Sequence, residues 1–161
     1  MAAVAEQCGS CQKGGAASRC AACQKVRYCG AECQKSDWAY HKNICPALKA
    51  LDATAFVKVV IKAGDGPHPP KGAKCQMHYE GKLLSGKVFD ASRPKARTFD
   101  FNVGTGMVIK AWDEGVAQMQ KGERAYIVSS PGYAYGSRDV GGGLIPANSV
   151  LVFDVELLDF N

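Results

Sequence analysis

The chain is 161 residues long, 47% hydrophobic and 22% charged, with a formal net charge of +5. That composition supports a buried core and excludes a disordered polyelectrolyte, and the lysines form no stripe, so a nucleic-acid partner is not expected. No apolar run approaches the roughly 20 residues that cross a bilayer, so no membrane is expected either.

Cysteine is concentrated at the start. Seven of the eight cysteines and one of the three histidines fall in the first 45 residues, paired as Cys8/Cys11, Cys20/Cys23, Cys29/Cys33 and His41/Cys45. Eight ligands close two tetrahedral zinc sites with no open position, so the expected metal holds the fold and does no chemistry. Four consecutive pairs are the pattern in which alternate pairs share an ion. Cys8, Cys11, Cys29 and Cys33 then hold one zinc, and Cys20, Cys23, His41 and Cys45 the other. A disulfide scaffold is the competing reading. Against it, seven cysteines cannot all pair among themselves, and MAAVAEQ lacks the basic and long apolar parts of a secretion signal. A reducing location, cytoplasmic or nuclear, is expected.

The residues between the ligands, VRYCGAECQKSDWAYHKNIC from Val26 to Cys45, resemble the MYND zinc finger. The likeness rests on the ligand order, Tyr28 before Cys29, the Cys33-Gln34 pair, and Asp37-Trp38 followed by His41 and Cys45. It implies two interleaved zinc sites, a short hairpin, a helix from Glu32 to Lys42, and a module that binds short proline-containing peptides. Gln34 and Trp38 lie one helical turn apart, so they share a face that can offer an amide and an indole to a peptide. In so small a module Trp38 can equally be the largest piece of the core.

PALKALDATA, which follows Cys45, has no ligand and no glycine and reads as a short, stiff connector. The expected organisation is a finger over residues 1–48, a connector over 49–55 and a second unit over 56–161. The second unit is long enough to bury a core of its own. Two separate cores are therefore expected, the second indifferent to loss of metal from the first.

The second unit opens with FVKVVIK, in which Val57, Val59 and Ile61 alternate with Lys58, Val60 and Lys62. KCQMHYEGKLL places Cys75, Met77 and Tyr79 on one face, Cys75 reading as a buried apolar residue. RAYIVSS sets Ala125 and Ile127 opposite Tyr126 and Val128, and VLVFDVELL puts Leu151, Phe153, Val155 and Leu157 on one side. These patterns predict a sheet with one buried face. A helix is predicted from Lys110 to Met119, with Trp112, Val116 and Met119 as the stripe that meets that face. The expected class is α+β, an antiparallel sheet wrapped on one short helix.

The same residues resemble the FKBP family of peptidyl-prolyl isomerases over nearly all of Phe56 to Asn161. The matching segments are HYEG at His78, GKVFDAS at Gly86, FDF at Phe99, VIKAWDEGVAQM at Val108, GYAYG at Gly132 and the closing LIPANSVLVFDVELL. The family rotates X-Pro bonds, and many members bind tacrolimus and rapamycin in the same pocket. Residue by residue, the resemblance makes Trp112 the pocket floor and Tyr79, Phe89, Phe101, Val108, Ile109, Tyr135 and Phe153 its walls, with Phe99 nearby. It also implies that the Ile109 N–H and the Tyr135 hydroxyl donate to substrate carbonyls, and that Asp90 stands at the rim. Without that context, ordinary core packing explains such aromatics.

Two loops depart from the family pattern. ASRPKARTFDF carries Pro94 and Lys95 where many relatives have acidic and arginine residues, which puts cationic support of Asp90 in question. SRDVGGGLIPANS is one residue longer than in the short relatives, and its three glycines, Gly141 to Gly143, predict a flexible run over the pocket. The expected function is that of a monomeric prolyl isomerase directed to protein clients by its finger. The alternative is a non-catalytic adaptor whose pocket and finger only bind partners.

Overall fold

The computed structural model describes residues 7–52 and 55–161. The first six residues of the expected finger and residues 53–54 of the expected connector lie outside the described residues.

In the finger, β1 (Ser18–Arg19) and β2 (Arg27–Tyr28) form a two-stranded antiparallel hairpin that leads into α1 (Ala31–Ala50). The helix does not stop at Lys42. It runs through Pro46 to Ala50, so much of what read as connector is helix. The reason is a stripe at i, i+3, i+4 and i+7: Ile44, Ala47, Leu48 and then Leu51 are all buried, while Pro46 sits on the exposed side. A proline inside a helix costs about 3 kcal/mol, which burial of two or three aliphatic side chains at about 1.5–3 kcal/mol each offsets.

The second unit is a six-stranded antiparallel sheet of β3 (Phe56–Lys62), β4 (Lys74–Leu83), β5 (Val88–Ala91), β6 (Phe99–Asn102), β7 (Arg124–Ser129) and β8 (Leu151–Phe160). Its order is β3-β7-β8-β4-β5, with β6 also paired to β4. The helix α2 (Lys110–Ala117) lies on one face, so the antiparallel sheet wrapped on a short helix is what the chain forms. Ala125 pairs with Val155 and Ile127 with Phe153, and their side chains join Cys75, Met77, Trp112 and Val116 in one core.

Part of the other face is buried too, which overturns the expectation of one buried face and two separate cores. Val128 pairs with Val152 on the side away from α2, and both are buried in a second core with Ile44, Leu48 and Leu51 of the finger. Val57 and Val59, expected on the buried face of their strand, pack into this second core, whereas Ile61 is 45% exposed. Tyr40 of α1 stands edge-on to Tyr126 with centroids 5.8 Å apart, and Lys82 Nζ lies 4.4 Å over the Tyr40 ring. Strands that are apolar on both faces are the signature of a covered sheet, and Val128 and Val152 carried that signal. The turn between β4 and β5 touches the finger so closely that a Cβ at Gly86, whose φ is +80°, would sit 2.7 Å from the Gly9 carbonyl oxygen.

Candidate active site and metal centres

The concave side of the sheet and the start of α2 enclose a cavity of about 530 Å³. Tyr79 reaches it from β4, Phe89 and Asp90 from β5, Phe99 from β6, Phe153 from β8 and Trp112 from the first turn of α2. Val108, Ile109 and Tyr135 complete it from loops. The Trp112 ring packs edge-on against Tyr79, Phe153 and Phe99 at centroid distances of 4.9, 5.1 and 5.4 Å. Phe101 is the one expected wall residue that does not line the cavity. It is 2% exposed and backs Trp112 from 6.2 Å away. Glycine is required at position 81, because a Cβ there would meet the Phe89 ring at 2.4 Å and Phe153 at 3.0 Å. The Phe89 ring therefore lies against bare β4 backbone.

The loop before α2 is fixed from within. Asp113 accepts hydrogen bonds from the Gly104 and Gly106 N–H groups at 3.0 and 2.8 Å, which sets the approach of Met107, Val108 and Ile109 to the cavity. Among the described residues, neither the Ile109 N–H nor the Tyr135 hydroxyl has a hydrogen-bond partner. Burial, with the nearby Asp90 charge, raises the Tyr135 pKa above its ordinary value, so the phenol stays protonated and keeps its hydrogen to donate.

Asp90 does have a cationic neighbour, and it is Lys95 itself. A short 3-10 turn at Arg93–Lys95, closed by Ala96 in the left-handed region, brings Lys95 Nζ to 2.6 Å from Asp90 Oδ1. The Tyr79 hydroxyl donates to Oδ2 at 2.5 Å and the Ala91 N–H to Oδ1 at 2.9 Å. Burial opposes ionisation of this carboxyl, but Lys95 and Tyr79 outweigh it and hold the pKa below its ordinary value. The glycine-rich loop also differs from expectation. Val140 and Ile145 exchange backbone hydrogen bonds at 2.9 and 3.0 Å and Asp139 caps the Gly143 N–H at 2.7 Å, so the glycines form a closed turn with positive φ. Past Arg138 this loop contributes nothing to the cavity wall. Met107, Lys110 and Arg138 line the cavity without having been singled out in the sequence. The dipeptide Met107-Val108 beside a wall residue was the available signal for the first.

In the finger the ligand atoms of Cys8, Cys11, Cys29 and Cys33 all lie within 4.8 Å of one another, as do those of Cys20, Cys23, His41 and Cys45. A zinc with sulfur ligands at 2.3 Å has tetrahedron edges of about 3.8 Å. Cys11 and Cys29 sulfurs are 3.5 Å apart, Cys20 and Cys45 3.7 Å, and Cys23 Sγ is 3.7 Å from His41 Nε2. These distances are tetrahedron edges, and the thiolate and imidazole donors suit zinc. Hydrogen bonding to Cys11 and Cys8 pushes Cys29 up to about 12, and burial followed by Cys20 does the same to Cys45. Neither tetrad can hold its full set of thiolates without a cation. Burial works against ionisation of Cys8, yet the backbone N–H groups of Cys11, Ser10 and Cys29 bring it down to about 6, as a metal-binding knuckle requires. The Tyr28 hydroxyl donates to Asp37 Oδ2 at 2.6 Å, which ties the strand before Cys29 to the helix that carries His41. Trp38 is 47% exposed with its ring 5.9 Å from His41, and Gln34 is half-buried one turn away.

The profile of the FKBP-type peptidyl-prolyl cis-trans isomerase family matches residues 66–158, and that of the MYND finger matches residues 8–45. The chain is 52% identical over 101 residues to the peptidyl-prolyl cis-trans isomerase Fkbp12 of Drosophila melanogaster, covering 62% of this chain and 93% of that protein. It is 48% identical over 101 residues to FK506-binding protein 1 of Dictyostelium discoideum, covering 63% of this chain and 94% of the relative. A peptidyl-prolyl cis-trans isomerase of Schizosaccharomyces pombe is 48% identical over 105 residues, 65% of this chain and 93% of the relative.

Proposed function

The chain belongs to the FKBP-type peptidyl-prolyl cis-trans isomerase family and carries a MYND finger, and from that premise we propose that X-Pro bonds rotate in the aromatic cavity floored by Trp112 while the finger recruits proline-containing clients. The observation that carries the catalytic half is the cavity itself: aromatic walls, and one carboxylate already bound by Lys95 and Tyr79. No acid or base is needed, because no bond is made or broken. The barrier of about 18–20 kcal/mol comes from amide resonance, which puts positive character on nitrogen and negative on oxygen. The twisted amide has lost part of that separation, so an apolar site disfavours the planar ground state relative to it. The Ile109 N–H and the Tyr135 hydroxyl hold flanking carbonyls near the twisted geometry. Asp90 stands at the rim, its charge fixed in place by Lys95 and Tyr79.

Replacing Tyr135→Phe deletes one hydrogen bond worth about 0.5–1.5 kcal/mol, and kcat/KM on a short X-Pro peptide is expected to fall roughly 2- to 12-fold. An unchanged rate would remove the hydroxyl from the mechanism. Rapamycin and tacrolimus are expected to compete with the peptide for the same cavity.

The finger holds two structural zinc ions, one in each tetrad, and presents Trp38 and Gln34 to a proline-containing segment. Its supports are the ligand geometry and the exposure of the indole. Because α1 docks on the face of the sheet away from the cavity, a client bound at Trp38 must pass around the sheet before its proline reaches Trp112. Spanning that thickness takes on the order of ten extended residues, so the gain from tethering falls on long clients and not on tetrapeptides. Trp38→Ala is expected to weaken proline-peptide binding by about 2 kcal/mol or more, some 30-fold, with the zinc content kept. Calorimetry showing unchanged affinity in a zinc-replete variant would count against the groove.

A further inference from the structure

Two cations line the cavity with no carboxylate within ion-pair distance of either, among the described residues. Lys110 opens α2 and Arg138 stands in the loop after Tyr135, and both are exposed residues of the cavity wall. Among the described residues neither forms an ion pair. Asp113 and Asp139 are turned to backbone N–H groups, of Gly104 and Gly106 and of Gly143, and Glu114, one turn along α2 from Lys110, forms no ion pair with it. Asp90, the one carboxylate in the cavity wall, is taken by Lys95. Lys110 Nζ lies 5.7 Å over the Tyr133 ring, and the N-terminus of α2, where Lys110 sits, adds positive potential.

We propose that Lys110 and Arg138 give the isomerase a preference for X-Pro segments with an aspartate or glutamate beside the X-Pro pair. The preference rests on the isomerase reading of the cavity. A carboxylate one or two residues from the proline reaches the mouth of the cavity, where low-dielectric aromatic walls on one side strengthen its attraction to two unpaired cations. Met107, 62% exposed beside them, adds an adaptable apolar contact for the stem of a glutamate. Lysine at the same peptide positions meets like charge and is disfavoured.

The test is kcat/KM of the full zinc-loaded chain on three X-Pro tetrapeptide sets that differ only in carrying Glu, Ala or Lys beside the X-Pro pair, at low and high salt. The expected order is Glu over Ala by roughly five-fold and Glu over Lys by roughly twenty-fold at low ionic strength, collapsing to below about two-fold in 0.5 M salt. Arg138→Gln with Lys110→Gln brings the Glu-to-Lys ratio close to one, and Arg138→Glu with Lys110→Glu reverses it. Both positions are solvent-exposed, so these changes leave the core intact. Turnover of all three peptides at equal rates at low salt overturns the preference and leaves the isomerase reading standing. Turnover of none of them overturns both.

Discussion

Removal of zinc is expected to unfold the finger and to destabilise the isomerase sheet along with it. Once the tetrads lose their ions, α1 has no anchor at its N-terminal half, and Ile44, Leu48 and Leu51 leave the outer face of the sheet. Val128 and Val152 then become exposed, a loss of about 3–6 kcal/mol at 1.5–3 kcal/mol per buried aliphatic side chain. In a chain of this size that corresponds to a drop of roughly 6–24 °C in the unfolding midpoint. Thermal unfolding followed by Trp112 fluorescence in a Trp38→Phe background, with and without a strong chelator, reads this out. Leu48→Ala is the metal-independent counterpart, expected to cost about 2–5 kcal/mol while both zincs stay bound. An isomerase midpoint unmoved by chelation would mean that the two units are energetically independent.

The second large effect is at the pocket floor. Trp112 is 6% exposed and packs against four other rings, so Trp112→Ala is expected to destabilise the chain by about 3–5 kcal/mol and to open the cavity into the core. Because that variant can fail to fold, Trp112→Leu separates the two roles. It keeps an apolar side chain and deletes an indole N–H that is buried without a partner, so its stability cost is smaller, while kcat/KM on X-Pro peptides is expected to fall at least about tenfold. Circular dichroism and peptide kinetics on the same preparation distinguish loss of fold from loss of floor. Activity retained in a folded Trp112→Leu chain would show that the indole is ordinary core.

Local patterns made most of this legible in the sequence. Ligand pairs with two or three residues between them marked both tetrads, since metal geometry is written in short spacings, and the period-two strands gave the inner face of the sheet. The cavity aromatics came from motif resemblance; composition alone does not separate Phe101, which backs Trp112, from Phe99, which lines the cavity. What escaped was long-range. The stripe Ile44, Ala47, Leu48 and Leu51 is present in the sequence, but the family resemblance ends the helix at Lys42, and only docking on β3 and β7 explains why it continues. Val128 and Val152 looked like the weaker side of their strands until α1 covered them. Lys95 reaches Asp90 because a 3-10 turn at Arg93–Lys95 folds the chain back, which nothing in ASRPKARTF announces. The clear mouth at Lys110 and Arg138 depends on which carboxylates are engaged elsewhere, a property of the folded chain.

The central claim, that the Trp112 cavity is where X-Pro bonds rotate, is tested most directly by exchange spectroscopy on a short X-Pro peptide with catalytic amounts of the zinc-loaded chain. The account predicts cis/trans exchange faster than the uncatalysed tens to hundreds of seconds, and its return to the uncatalysed rate when rapamycin saturates the cavity. Exchange that stays at the uncatalysed rate, or acceleration that persists with the cavity filled, would contradict it.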